Sequence, residues 1–381
     1  MRERLRGEII RLATSALRRW FRAASGPVVA PRSVLILKPC CLGDVLLTTP
    51  LVAAVRAGYP SASITYAVGA WSRPMVATSQ QIDALVTLPE RWTPGSLLAT
   101  ARALRERDFD AVFVPDRSPT LTLLAWLAGI PQRVGLDSAG RGFAYTHRAP
   151  VSSIVMHEAD AYRLLAPAAG LPPAPRRLFF FPSAAADSQA ATMIAQRRAA
   201  GPLIALHPGG GQNPGMTLHR KRWLPERWAA VADALIEAHD AQVLLVGGPS
   251  DAEVVAAVAA AMRFEATTLV QLWQWDLLGA LLSRCDLFLG HDTGMMHLAT
   301  AVGAPTVAVF GPSDPQIYGP YGSHATYIWH PTPESPCFYE GVVDPDCPCA
   351  GQCMRNIAVA DVLRAAEQRL ALRSAEEAEE A

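Results

Sequence analysis

Residues 285–315 read CDLFLGHDTGMMHLATAVGAPTVAVFGPSDP, and the pattern is strand, glycine turn, helix, strand. Residues 286–289 are a short, mainly apolar run of the kind that a parallel strand covered on both faces requires, and Gly290 stops it. His291, Asp292 and Thr293 then precede apolar positions at helical spacing, Met295, Met296, Leu298, Ala299 and Val302, until Gly303-Ala304-Pro305 ends the helix. A helix that starts near Asp292 or Thr293 aims free N–H groups and the positive end of its dipole at the space above the strand ends, which suits an anion. Gly294 lets a diphosphate approach the backbone closely. The alternative is that Asp292 and Thr293 only cap the helix.

Working back from this stretch, the second half of the chain restarts with a strand at 203–206 that runs into His207-Pro208-Gly209-Gly210-Gly211. Consecutive glycines after a strand can turn their N–H groups toward an anion, and Lys221, just ahead of a helix that runs to about residue 238, can reach the same anion. The other reading of the glycines is a flexible turn. A strand at 243–246 stops at Gly247-Gly248-Pro249. Glu253 follows in the first turn of the next helix, where a carboxylate either accepts from a ribose diol or favours the helix dipole. A strand near 268–271 and a helix at 276–283 lead to the opening stretch.

The first half has the same rhythm. The apolar run SVLIL at 33–37 leads through Lys38-Pro39-Cys40-Cys41-Leu42-Gly43-Asp44 into a helix over about 45–57, and a strand follows at 63–68. This βαβ opening puts Lys38, Gly43 and Asp44 at the mouth of a parallel sheet, where ligands bind in open α/β folds. Asp44 either caps the helix or takes a proton. Strands at 84–88, 111–114 and 132–135 alternate with helices at 94–107 and 120–127, and a helix starts near His157. His157 reads as a cap or surface residue, the alternative being an acceptor contact or closure of the cleft. A strand at 178–181 precedes a Pro- and Ala-rich segment that places a domain boundary near 182–201. Neither G-x-G-x-x-G nor G-x-x-x-x-G-K-[ST] occurs, which argues against dehydrogenase and P-loop chemistry.

Composition sets the outer bounds. With 381 residues, 50% of them hydrophobic and 18% charged, the chain can bury two cores. Equal numbers of basic and acidic residues, 34 each, leave no global field to recruit nucleic acid. The basic residues are almost all Arg, and the two lysines, Lys38 and Lys221, both lie in the motifs above, where a compact ammonium suits an anion. Seven cysteines without a cleavable signal, with Cys40, Cys41 and Cys285 in segments that read as buried, indicate a reducing compartment. No apolar run is long enough to span a membrane. Residues 2–24 hold seven Arg against two Glu on an amphipathic helical pattern, so this arm either lies on an anionic membrane surface or is a solvated extension.

Four segments together resemble the heptosyltransferase family, glycosyltransferase family 9. They are Lys38-Pro-Cys-Cys-Leu-Gly-Asp44 with Thr48-Thr49-Pro50; His207-Pro-Gly-Gly with Lys221-Arg222-Trp223-Leu-Pro-Glu226; Gly247-Gly248-Pro249; and Asp292-Thr-Gly-Met-Met-His297-Leu-Ala with Phe310-Gly-Pro312. The resemblance implies an α/β fold of the GT-B type, two Rossmann-like domains with mostly parallel sheets facing across a cleft. Expected bounds are an Arg-rich arm at 1–30, an acceptor domain at 31–182 and a nucleotide-sugar domain at 201–355. A helix at 356–372 that packs back on the first domain and a disordered acidic tail at 373–381 complete the chain.

Members of that family are inverting enzymes that move heptose from ADP-heptose to a lipopolysaccharide core at the cytoplasmic face of the inner membrane, without a catalytic metal or other required cofactor. Carried onto this sequence, Asp44 is the expected general base, with Lys38 and Gly43 on the acceptor side. Lys221, Asp292, Thr293, Gly294, His297, Gly209 and Gly210 are the expected donor diphosphate site, and Glu253 a weaker match for a ribose contact. The expected partners are an ADP-heptose-like donor and a lipid-linked or glycan acceptor, with peripheral membrane contact. The bottom-up chemistry agrees: inverting transfer needs a base at the acceptor hydroxyl and positive charge at the departing diphosphate. The rival readings are a UDP or GDP transferase or an epimerase of the same fold, and a catalytically silent binding protein.

One feature departs from that pattern. Cys337, Cys347, Cys349 and Cys353 lie in a Pro- and Gly-rich segment, where they either hold a structural zinc tetrahedrally or remain free or redox-active thiols.

Overall fold

The computed structural model of the chain describes residues 14, 16–17, 20–21, 23–24, 26–151, 155–195, 201–213, 216–270, 274–339, 342–343 and 347–380. The chain divides into two compact units, Met1–Arg176 and Arg177–Ala381. In the first, strands β1 (Ser33–Leu37), β2 (Ser63–Gly69), β3 (Ala84–Leu88), β4 (Ala111–Val114), β5 (Gln132–Asp137) and β6 (His147–Pro150) form a six-stranded sheet of order β3-β2-β1-β4-β5-β6. Every pairing in it is parallel. The SVLIL run becomes β1 because a central parallel strand is covered on both faces, and four of its five residues are buried. The strand order reverses direction beside β1, so the loop that follows β1 opens at the sheet's switch point.

The second unit repeats that order. Its strands β7 (Leu203–Leu206), β8 (Gln242–Val246), β9 (Thr267–Leu269), β10 (Leu287–His291), β11 (Thr306–Phe310) and β12 (Ala325–Trp329) run β9-β8-β7-β10-β11-β12, again all parallel. β10 is the strand of the opening stretch, with Phe288 paired to Ala205 on one side and Thr306 on the other. Trp223 and Trp228 pack edge-to-face at 4.9 Å beneath it, in a core shared with Leu245, Leu289 and Val309. The loops after β7 and β10, neighbours at this second switch point, carry the glycines and the Asp-Thr-Gly segment.

Several expectations about boundaries need correction. The division falls at 176/177, ahead of the 182–201 segment, because that segment itself anchors to the second unit. Ser183 bonds Asp276 through both its N–H (2.9 Å) and its hydroxyl (2.6 Å), and the helix Ala184–Ala195 packs on the helix Trp275–Leu282. Residues 178–181 are not a strand; Phe180 packs over Gly279, where a Cβ would come within 2.5 Å of its ring. The C-terminal helix Val359–Glu380, expected to pack back on the first unit, packs on the second. Its Val362, Ala365, Ala366 and Leu370 join the second unit's core with Trp223 and Trp228. The acidic tail continues this helix through Glu380, since Ser-Ala-Glu-Glu-Ala-Glu-Glu contains no helix breaker. Most of the Arg-rich arm lies outside the described residues. Among those described, no helix is long and apolar enough to cross a membrane.

Candidate functional site

In the first unit, Asp44 sits at the third position of the helix Leu42–Leu47, which starts at the mouth of β1. One carboxylate oxygen accepts from the Cys41 N–H at 3.3 Å, so Asp44 does serve as a helix-end partner. The other oxygen accepts from the Tyr162 hydroxyl at 3.3 Å. Lys38, buried at the end of β1, donates to Asp116 at 2.9 Å and to the same Tyr162 oxygen at 3.1 Å. The result is a linked row, Asp116, Lys38, Tyr162, Asp44, drawn from β1, the loop after β4 and the helix Glu158–Arg163. Burial works against the charge on Lys38, yet Asp116, Asp44 and Glu158 outweigh it and raise its pKa above the ordinary lysine value. Burial first, and then those same carboxylates, push Tyr162 well above its ordinary value, so it stays a neutral donor to Asp44.

Gly43 lies between Leu42 and Asp44 in that first turn. His157 caps the next helix by accepting from the Ala159 N–H at 3.1 Å. Asp116, Tyr162 and Glu158 escaped the sequence reading because they are far from Asp44 in the chain. The one available signal was Lys38 itself, a buried cation that must find anions. Cys40 and Cys41, expected as buried thiols, are half-buried and joined to each other by a disulfide. Their adjacency in a sharply turned loop brings the sulfurs together.

In the second unit, Lys221 ends a short turn, His219–Lys221, ahead of the helix Pro225–His239. Its ammonium lies 2.5 Å from Asp292, which also accepts from the Ser313 hydroxyl at 2.5 Å. Phe338 covers the same ammonium, with its ring centre 4.4 Å away. Burial tends to raise the Asp292 pKa, but Lys221, Ser313 and His297 together lower it, so the carboxylate is ionised. Asp292 is therefore no simple cap. Nor is Thr293, which stands at the cap position of the helix Gly294–Ala301 without a side-chain capping bond. Its hydroxyl oxygen is buried with no hydrogen-bond partner among the described residues. Gly294 is the first helical residue, and His297 is buried one turn on.

The glycines after β7 correct the expectation of a free anion nest. The Gly210 N–H donates to the chain's own Asp251 at 2.9 Å, and Asp251 also accepts from the Gly248 N–H and the Arg222 guanidinium. Burial opposes ionisation of Asp251, but His207 and those two N–H groups hold its pKa far below the usual carboxylate range. Gly210 has φ +88°, and a Cβ there would meet the Thr293 methyl at 2.3 Å, so the glycine loop packs directly on the Asp-Thr-Gly segment. At Gly209 a Cβ would clash with Asp251 at 2.3 Å. The glycines bring two loops and a carboxylate together at close range.

His291, fully buried, holds this junction. Its Nε2 accepts from the Trp223 N–H at 2.7 Å and the Trp228 indole at 3.3 Å, and its Nδ1 donates to the Gly209 carbonyl at 3.3 Å. Burial lowers its pKa to about 3, which fixes the neutral ring that this pattern requires. Glu253 is exposed in the first turn of the helix Ala252–Ala261 and takes no part in these contacts. The roles of Asp251, Ser313, His291 and Phe338 went unassigned in the sequence, the first three because polar residues near glycines read as turn formers.

A buried lysine at an ion pair, an unpartnered hydroxyl and a helix N-terminus, all at a switch point, make a site suited to a diphosphate. The family model of glycosyltransferase family 9 (heptosyltransferase) matches residues 97–344, more than half of the chain. Lipopolysaccharide heptosyltransferase 2 of Salmonella typhimurium is 26% identical over 313 residues, covering 77% of this chain and 87% of that one. Among solved structures, a glycosyl transferase family 9 protein from Veillonella parvula has a TM-score of 0.73 at 25% identity, covering 89% and 97% of the two chains. The ADP-heptose lps heptosyltransferase II of E. coli has a TM-score of 0.69 at 24% identity, covering 90% and 99%.

Proposed function

This chain belongs to glycosyltransferase family 9, the heptosyltransferases, and from that membership we propose that it transfers a heptose from an ADP-heptose donor to a lipopolysaccharide core acceptor with inversion. The observation that carries the donor half is the buried Lys221–Asp292 pair beside the unpartnered Thr293 hydroxyl. In the transfer, the acceptor hydroxyl oxygen bonds to the sugar's anomeric carbon as the bond from that carbon to the diphosphate oxygen breaks. The bond pair leaves with ADP, and Lys221, the Thr293 hydroxyl and the N–H groups at the start of the helix Gly294–Ala301 stabilise it. Asp44 takes the acceptor proton. Tyr162 orients Asp44 through its hydrogen bond, and Lys38, bonded to the same Tyr162 oxygen, places positive charge nearby.

Glu253 keeps the role of a ribose contact only in this proposal, and zinc, if the C-terminal thiols hold it, is structural and takes no part in the transfer. The same reading places the enzyme in the cytoplasm, with its Arg-rich arm against the anionic face of the inner membrane.

The test is a transfer assay with purified chain, ADP-heptose and a heptose-deficient core acceptor, read by mass spectrometry, alongside calorimetric titration with ADP, UDP and GDP. Addition of one heptose and tightest binding of ADP are expected. No heptose transfer, or tighter binding of UDP or GDP, overturns the reading.

A further inference from the structure

We infer that Cys337, Cys347, Cys349 and Cys353 form a four-thiolate site for a thiophilic divalent ion of the zinc class, and that the ion holds in place the loop that sets Phe338 against Lys221. The second half of this inference rests on the reading of Lys221 and Asp292 as the donor site.

The sulfurs come together from three separate turns of chain. Those of Cys337, Cys347 and Cys349 all lie within 4.8 Å of one another, and Cys349 and Cys353 are 3.9 Å apart. A tetrahedral zinc with Zn–S bonds of about 2.3 Å requires sulfurs roughly 3.8 Å apart, so Cys337, Cys347 and Cys349 need a small inward adjustment and Cys353, beside Cys349, swings in as the fourth ligand. All four are free thiols, and three of them are buried. The backbone between them is wound for this purpose: Gln352 N–H bonds the Cys349 carbonyl at 2.7 Å, and Ala350 and Gly351 take left-handed conformations, φ 45° and 84°. That turn, followed by the short helix Gln352–Arg355, brings Cys353 back beside Cys349.

The segment also needs a staple. From 331 to 351 it has few large apolar side chains, Phe338, Tyr339, Val342 and Val343, and several prolines and glycines, so it can bury little surface of its own. Bound as thiolates, the four cysteines release their protons to solvent, and the binding energy becomes folding energy of the loop.

The loop touches the donor site on two sides. The Cys337 and Phe338 N–H groups both donate to the Pro312 carbonyl, at 3.0 and 3.1 Å, and the next residue, Ser313, bonds Asp292. Cys353 and Met354 press on Gly311, where a Cβ would lie 2.3 Å from the Met354 sulfur and 3.3 Å from that of Cys353. Phe338, adjacent to Cys337, covers the Lys221 ammonium. Ordering the thiols thus orders both a partner of Asp292 and the cover of Lys221.

The experiment uses the full chain, purified without added metal or chelator. Elemental analysis should find about one zinc per chain, and replacement by Co2+ should give the ultraviolet thiolate-to-metal and visible bands of a tetrahedral cobalt thiolate. The Cys349→Ser/Cys353→Ser variant should lose the ion and bind ADP about tenfold more weakly, with its far-ultraviolet circular dichroism unchanged. Should that variant misfold, the Co2+ spectrum of the unaltered chain still decides the site. A chain without stoichiometric metal and without a cobalt thiolate spectrum, or one with these cysteines paired as disulfides, overturns the site. Full ADP affinity after loss of the ion overturns the coupling to Lys221. A chain that holds the ion but does not bind ADP overturns the donor-site reading and leaves the metal site standing.

Discussion

The Lys221 ammonium and the Asp292 carboxylate meet at 2.5 Å with each side chain only 10% exposed. Such a pair stabilises little on its own account, because desolvation of two charges offsets most of their attraction, but breaking it is costly. Lys221→Ala should therefore destabilise the chain by about 3–5 kcal/mol and also abolish measurable ADP binding. Lys221→Met combined with Asp292→Asn should regain much of the stability without regaining ADP affinity. Chemical denaturation and calorimetry on both variants separate the two roles; recovery of binding in the double variant counts against a diphosphate contact by Lys221.

Asp44→Asn keeps the shape of the side chain and removes the proposed base. Heptose transfer should fall by a factor of about 10²–10⁴, while ADP affinity, which the proposal assigns to residues of the other unit, stays within about twofold. Steady-state transfer rates and titration with ADP check both halves. Unchanged transfer removes Asp44 from the mechanism.

Thr293→Val tests the unpartnered hydroxyl. A buried hydroxyl without a partner costs folding free energy, so the isosteric valine should leave the chain as stable or about 1 kcal/mol more stable. The same change should weaken ADP about tenfold if the hydroxyl meets the diphosphate. Thermal melting with and without ADP reads both effects, and a gain in stability with no loss of affinity argues against that contact.

Acid sensitivity follows from His291. Its pKa is near 6.5 in the unfolded chain and about 3 in the folded one, because burial disfavours the imidazolium. Below about 6.5 the unfolded state binds a proton that the folded state does not, so stability falls as pH drops from there toward 3. His147, also lowered by burial, acts in the same direction. Melting temperatures should decline between pH 7 and pH 5, and His291→Gln should flatten that decline even though it lowers stability at pH 7. An identical slope in the variant rules out His291 as a source.

The paired strand runs, the glycine stops and the alternation with helices were legible along the chain, because a parallel sheet covered on both faces forces period and composition on each segment. That reasoning reached β1, β7, β10 and most of their neighbours, yet missed β6 and β12, whose short edge sequences HRAP and ATYIW carry no such pattern. It also placed Asp44, Asp292 and Thr293 beside helix starts that follow strand ends, and Lys221 just ahead of a helix, where the structure has them. The partners of those residues lay beyond its reach. Asp116 and Tyr162 reach Lys38 across 78 and 124 residues, and Ser313 and Phe338 join Lys221 and Asp292 from separate loops. Likewise, an apolar stripe at 359–370 announces a buried face without saying which core receives it, and the tertiary structure gave it to the second unit. Sequence fixes which groups must be buried, capped or paired, because those demands are local. Only the folded chain decides with what, because the choice depends on which distant surfaces each sheet, within its own unit, brings within a few ångströms.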